Sequence, residues 1–197
     1  MIWPEWDTSL LLAINSHHNP TFDVLMWWVS KPWIWTPLYI LIFAVCTKKY
    51  GWKNAGYILL AFCALILCTD FLNLHGIKNT VQRLRPTHEP MLSGILHLLS
   101  DENGHPYLGG LYGFISSHAA NHFGMAFLMA KLTKPWLKAA PWLFYLWAFI
   151  IAYSRVYMGV HYPLDVICGA AFGIAAGGFI YWAMHRIIKP LETVVGT

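Results

Sequence analysis

Lys78, Arg85, Ser116, His118, Arg155, His161 and Asp165 each fall at an end of an apolar stretch. An ionisable side chain beside hydrocarbon is costly to keep, so its presence there points to function. Three of the seven are cations, two are imidazoles, and one is a carboxylate four residues after the second imidazole. That mixture suits phosphoryl transfer, in which the group's charge needs positive partners and the reaction is mostly positioning and charge stabilisation.

The spacing refines this. His161 and Asp165 stand one turn apart at the start of a helix that Pro163 opens, so they share a face. A carboxylate on one ring nitrogen fixes the tautomer and leaves the other nitrogen as a directed lone pair, able to act as base or nucleophile. For the pair alone, a structural hydrogen bond at a helix start is the alternative. Ile115-Ser116-Ser117-His118 begins a second helix. Ser116 suits an N-cap, and the free N–H groups and positive end of that helix suit an anion. His118 is placed to give a proton to a leaving oxygen. Lys78 and Arg85 stand about two helical turns apart and are expected on one face. Arg grips two phosphate oxygens at once and Lys supplies a compact charge. Contact with lipid headgroups is the alternative for both. Arg83, off that spacing, is assigned to the surface.

The elements that must position these residues are read as helices crossing a membrane. Of 197 residues, 57% are hydrophobic and 11% charged; a soluble domain usually carries about 25% charged residues. Eleven Trp and ten Tyr fit aromatic belts at two interfaces. Five spans are expected, at roughly 33–48, 54–76, 116–133, 138–155 and 163–187. Before them, Asn19-Pro20 breaks residues 5–30 into two short interfacial helices; a sixth, tilted span within 20–48 is the competing reading. The expected fold is all-α, a polytopic transmembrane bundle forming one domain over 1–197. The start, MIWPEWDTS, lacks the pattern of a cleavable leader. Lys48, Lys49 and Lys53, then Lys131, Lys134 and Lys138, then Arg186 and Lys189 fall on one side, expected to be cytoplasmic. Lys78, Arg83, Arg85 and Arg155 break that bias from the other side. Gly169, Gly173 and Gly177 recur every fourth residue and allow close helix packing, within the monomer or, as the alternative, between copies. Cys46, Cys63, Cys68 and Cys168 lie in apolar runs without metal-ligand spacing and are read as reduced.

In order, the motifs are Lys78-x6-Arg85-Pro86, Ser116-x-His118 and Ser154-Arg155-x5-His161-x3-Asp165. This pattern resembles the type 2 phosphatidic acid phosphatase (PAP2) superfamily of membrane lipid phosphatases. The first and third motifs match throughout; in the second, Ile115 and Ser117 stand where the family has Pro and Gly. The resemblance implies a PAP2/haloperoxidase-like core and a metal- and cofactor-independent hydrolase of a lipid phosphate or diphosphate. His161 would attack phosphorus to give a phosphohistidine, with Asp165 orienting it. His118 would protonate the leaving group and then activate water. Lys78, Arg85, Ser116, Ser117 and Arg155 would hold the phosphate. The expected site faces the periplasm or cell exterior of a bacterial-type inner or plasma membrane. Undecaprenyl diphosphate is the leading substrate; phosphatidylglycerol phosphate, phosphatidic acid and lipid A phosphates are the alternatives. Membrane lipids are the other expected partners, and no nucleic acid is.

Two other functions compete. A phospholipid-binding or transport protein would keep the phosphate cage without turnover, but it would not need a nucleophile, an orienter and an acid. A vanadate haloperoxidase resembles the same motifs, but those proteins are soluble. Ser154 is read as a backbone partner. His17, His18, His75, His88, His105, His122 and His185 are read as bystanders, and the cluster His88, Glu89, Asp101, Glu102 and His105 lacks metal-ligand spacing.

Overall fold

The structure, a computed structural model, describes residues 3–135 and 137–187. Lys189 lies outside the described residues. Among those described, the regular elements are helical: α1 (Glu5–Ser16), α2 (Pro20–Val29), α3 (Thr36–Phe71), the short α4 (Asn79–Val81), α5 (Ser117–Thr133), α6 (Ala140–Tyr157) and α7 (Pro163–Ile187). Between α3 and α4 the helix widens to π-type winding over Leu72–Lys78.

α1 and α2 meet at the break expected from Asn19-Pro20. The Asn19 side chain accepts from the Phe22 N–H at 3.0 Å, and Pro20 fills the first helical position, whose N–H has no helical partner. α2 is ten residues long, about 15 Å of rise, and a turn of tighter helix at Pro32–Trp35 separates it from α3. Within 20–48 the helix is therefore interrupted between Val29 and Thr36.

α3 is two helices meeting head to tail. Gly51 sits at φ 77° and ψ 162°, in the region that favours glycine. A straight helix would hold Tyr39 and Ile66 about 40 Å apart, yet both line one cavity. The chain thus reverses at Gly51, and Cys46 and Tyr50 join one buried cluster with Ile58 and Ala61. The halves, 36–50 and 52–71, correspond to the first two expected spans.

α5 packs against α7, α6 and α3 at the centre of the bundle. Its closeness to α7 comes from glycine. A Cβ on Gly173 would lie 2.0 Å from the Ala120 carbonyl oxygen, one on Gly169 2.6 Å from that of Ser116, and one on Gly177 2.8 Å from that of Gly124. Gly169, Gly173 and Gly177 thus pack within the monomer, as their spacing allows, and α5 covers the face that the alternative gives to contact between copies.

Much of the outside is apolar. Ile40, Leu60, Leu67, Trp142, Leu143, Phe149, Phe179 and Trp182 are all more than half exposed. A soluble monomer rarely presents such surface. The stretches Pro32–Val81 and Pro163–Arg186 are long and apolar enough to cross a membrane.

Candidate active site

The chain leaves α4 through Gln82, in the left-handed conformation at φ 51°. It continues extended and pairs with the returning loop: Arg85 N–H donates to Leu111 O at 3.0 Å, and Gly113 N–H to Arg83 O at 2.8 Å. Lys78 and Arg85 therefore do not share the helical face that their spacing predicts. The helix stops before Arg85, and the bend brings both cations to the site. Side chains two apart on an extended chain emerge on the same side, roughly 6–7 Å apart. Arg83 and Arg85 use that spacing to straddle the His161–Asp165 pair.

His161 lies in the turn before α7 and is buried. Its Nδ1 faces Asp165 Oδ2 at 3.3 Å, and its Nε2 faces Arg85 Nη1 at 3.0 Å. A carboxylate only accepts and a guanidinium only donates, so both contacts specify one tautomer: hydrogen on Nδ1, lone pair on Nε2. Burial pushes the imidazole well below its usual 6.5, and the charges of Arg85, Arg155 and Lys78 push the same way. The ring is neutral at neutral pH, the state a nucleophile needs.

Arg85 Nη1 also donates to Val160 O at 3.0 Å. Burial first, then the neighbouring Arg155, lowers the Arg85 guanidinium to about 10, so it stays charged. Arg155 is buried, with Nη1 donating to the Ser30 hydroxyl and Nη2 to the Tyr107 hydroxyl at 3.2 Å. Among the described residues no carboxylate lies within ion-pair distance of Lys78, Arg85 or Arg155. The Nε atoms of Arg83, Arg85 and Arg155 are all buried without a partner, and of the three only Arg83 has carboxylates on its Nη atoms. Buried cations are normally paired, so this cluster is built to receive an anion.

The start of α5 supplies the opposite wall. Ser116 is its N-cap, with the hydroxyl accepting from the Ala119 N–H, and its own N–H donates to Asp165 O at 2.9 Å, tying α5 to α7. The Ser117 hydroxyl accepts from Asn73 at 2.8 Å, and the same amide reaches Ile115 O at 3.0 Å. The side chain that Ser117 adds is thereby turned toward Asn73, with its backbone still at the helix end. The charges of Arg155, Arg85 and Lys78 also reach His118. His118 and Ser117 border a cavity of about 590 Å³ that runs along α3 and α5 between Tyr39, Phe43, Phe62, Ile66 and Met125.

Of the eight residues assigned to the site, Arg85, His161, Asp165 and Ser116 are joined by hydrogen bonds, Lys78, Arg155 and His118 act on His161 through their charges, and the Ser117 side chain turns to Asn73. Arg83, assigned to the surface, does not stay there: it is buried, and its Nη1 and Nη2 donate to Asp165 Oδ1 at 2.9 Å and Asp7 Oδ2 at 2.6 Å. Asp7, Tyr107, Ser30 and Asn73 carry no local sequence signal. Asp7 shares a buried α1 stripe with Leu11 and Asn15 at four-residue spacing, a pattern visible only once Asp7 and Asn15 are allowed as inward residues. Ser154 donates to Ile151 O at 2.6 Å, as a backbone partner would. His122 donates to His118 O at 2.7 Å and His75 borders Phe71. The potential metal ligands that do converge among the described residues are His18, Asp23 and His97, rather than His88, Glu89, Asp101, Glu102 and His105.

Comparison with known proteins gives a consistent picture. The profile of the PAP2 superfamily matches residues 54–189. The lipid A 4'-phosphatase of Bacteroides thetaiotaomicron is 34% identical over 189 residues, covering 95% of this chain and 80% of that protein. The lipid A 4'-phosphatase of Porphyromonas gingivalis is 29% identical over 177 residues, covering 90% and 72%. Among solved structures, LpxE of Aquifex aeolicus superposes with a TM-score of 0.65 at 24% identity, covering 92% of this chain and 99% of that one.

Proposed function

The chain belongs to the PAP2 superfamily, and on that premise we propose that it hydrolyses the phosphate ester of a lipid A-type glycolipid through a phosphohistidine. The observation that carries this reading is the buried, unpaired charge of Lys78, Arg85 and Arg155 around a neutral His161. Three cations and the N-terminus of α5 supply the charge stabilisation that phosphoryl transfer requires.

When phosphate enters, the Arg85 donors turn from Nε2 to the phosphate oxygens and the lone pair is freed. His161 Nε2 forms the N–P bond as the ester P–O bond breaks in line, and His118 delivers the proton that the departing oxygen takes. His118 then accepts a proton from water, the water oxygen attacks phosphorus, and the N–P bond breaks to release inorganic phosphate. Asp165 holds the Nδ1 hydrogen throughout. The apolar cavity beside His118 is the seat for an acyl chain. Five spans, with the two halves of α3 counted separately, put the Lys-rich connections at the cytoplasmic end and the site at the other.

Undecaprenyl diphosphate ranks first from the sequence alone. The two lipid A 4'-phosphatase relatives, matched over most of their length, favour the lipid A alternative. The test is phosphate release by purified protein from lipid A, undecaprenyl diphosphate, phosphatidylglycerol phosphate and phosphatidic acid, each in EDTA. Lipid A should give the highest kcat/KM and EDTA should change nothing. Faster turnover of undecaprenyl diphosphate would reverse the substrate order, and EDTA-sensitive turnover would remove the mechanism.

A further inference from the structure

The environment of Arg83 extends the site beyond the three motifs. Its guanidinium lies between the rings of Trp3, at 4.1 Å, and Tyr162, at 3.8 Å. Its two ends bind two fully buried carboxylates. Asp165 accepts from Arg83 on Oδ1, and on Oδ2 from the Tyr162 N–H at 3.1 Å and from His161. Asp7 accepts from Arg83 on Oδ2 and from the Leu164 N–H on Oδ1 at 2.8 Å. Leu164 adjoins Asp165, so Asp7 holds both the first turn of α7 and the arginine that orients its carboxylate. α1 also clasps the preceding turn: Asn15 donates to Tyr157 O at 2.8 Å and to His97 O at 2.9 Å. Asp7 precedes the segment, 54–189, that the family profile matches.

We propose that Asp7 and Arg83 are positioning residues for the nucleophile, acting through Asp165, so that the first helix is part of the catalytic machinery. This rests on the phosphohistidine reading. Two buried carboxylates close together cannot both stay ionised without a counter-charge, and a single arginine fork serves both. The charged and titratable groups acting on Asp165 are Arg83 and His161 in contact, and Asp7, Arg85, Lys78, Tyr162 and Cys168 through their fields. Without Arg83, Asp165 loses the donor that holds its Oδ1 and ceases to fix the His161 ring. Neither Asp7 nor Arg83 belongs to the phosphate cage, so the loss falls on kcat rather than KM.

The test compares wild type with Asp7→Asn, Arg83→Gln, Arg83→Lys and Asp165→Asn, each checked for folding by thermal melting. Asp7→Asn keeps the shape and the acceptor for Leu164 N–H. Asp7→Asn and Arg83→Gln should lower kcat roughly 10- to 100-fold, the scale of losing an outer partner of an oriented histidine, and leave KM within about twofold. Arg83→Lys should recover part of the loss. In the Asp165→Asn background, Asp7→Asn should cost nothing more. Unchanged kcat in Asp7→Asn, or full additivity with Asp165→Asn, would overturn the proposal. If wild type hydrolyses no lipid phosphate, the phosphatase reading fails by itself. Orthovanadate binding then tests the geometry: weaker binding by Asp7→Asn supports the relay, and equal binding overturns it.

Discussion

Arg83 and Arg85 leave the same extended strand two residues apart, both are buried, and they meet opposite surroundings. Arg83 has a carboxylate at each end of its fork. Arg85 has a backbone carbonyl, an imidazole lone pair and the like charge of Arg155 nearby. Burial alone does not separate a structural cation from a ligand-binding one; the partners do. A paired buried charge organises its neighbours, whereas an unpaired one calls for an anion, and in this PAP2 phosphatase the division falls between two residues of one motif.

The contrast breaks most readily at Arg85. Arg85→Ala should lower kcat/KM by roughly 10³-fold, the scale of losing an arginine on a transferring phosphoryl group, with both kcat and KM affected. Loss at Arg83 should spare KM. Steady-state kinetics of the two variants separate the roles, and a pure kcat effect at Arg85 would erase the distinction.

A smaller effect sharpens it. Burial and three cations disfavour the imidazolium of His161, so the acid limb of kcat/KM should lie below pH 6.5 in wild type. Removing one of those positive charges makes protonation easier. The residual activity of Arg85→Gln should therefore show its acid limb at higher pH than wild type. A pH profile measured from 4 to 9 (roughly the range over which such groups titrate) decides it, and an unmoved limb would mean that Arg85 does not act on the His161 ring.

What the sequence disclosed follows from how local each signal is. Ser116 as a cap, Asn19-Pro20 as a break and His161 one turn before Asp165 depend on neighbours within four residues, and the structure keeps all three. The glycines of α7 read as a packing face, and α5 occupies it. Helical spacing misplaces Arg83, because after Val81 the chain turns at Gln82 and a period of two replaces 3.6. Asp7, Ser30 and Tyr107 reach the site across 48 to 125 residues of chain. Their partners are set by tertiary packing, which no local pattern encodes. Asp7 and Asn15 are hidden further because the inward face of α1 is polar at two of its three positions.

The central claim is that His161 carries the phosphoryl group. Purified protein is mixed with lipid A radiolabelled in its phosphate, quenched in alkali and digested, and the labelled peptide is sequenced. The expected result is acid-labile, alkali-stable label on the peptide holding His161, absent from His161→Ala and accumulating in His118→Ala, where hydrolysis of the intermediate stalls. Turnover without trapped label on any peptide in either wild type or His118→Ala, or label on another residue, would contradict it.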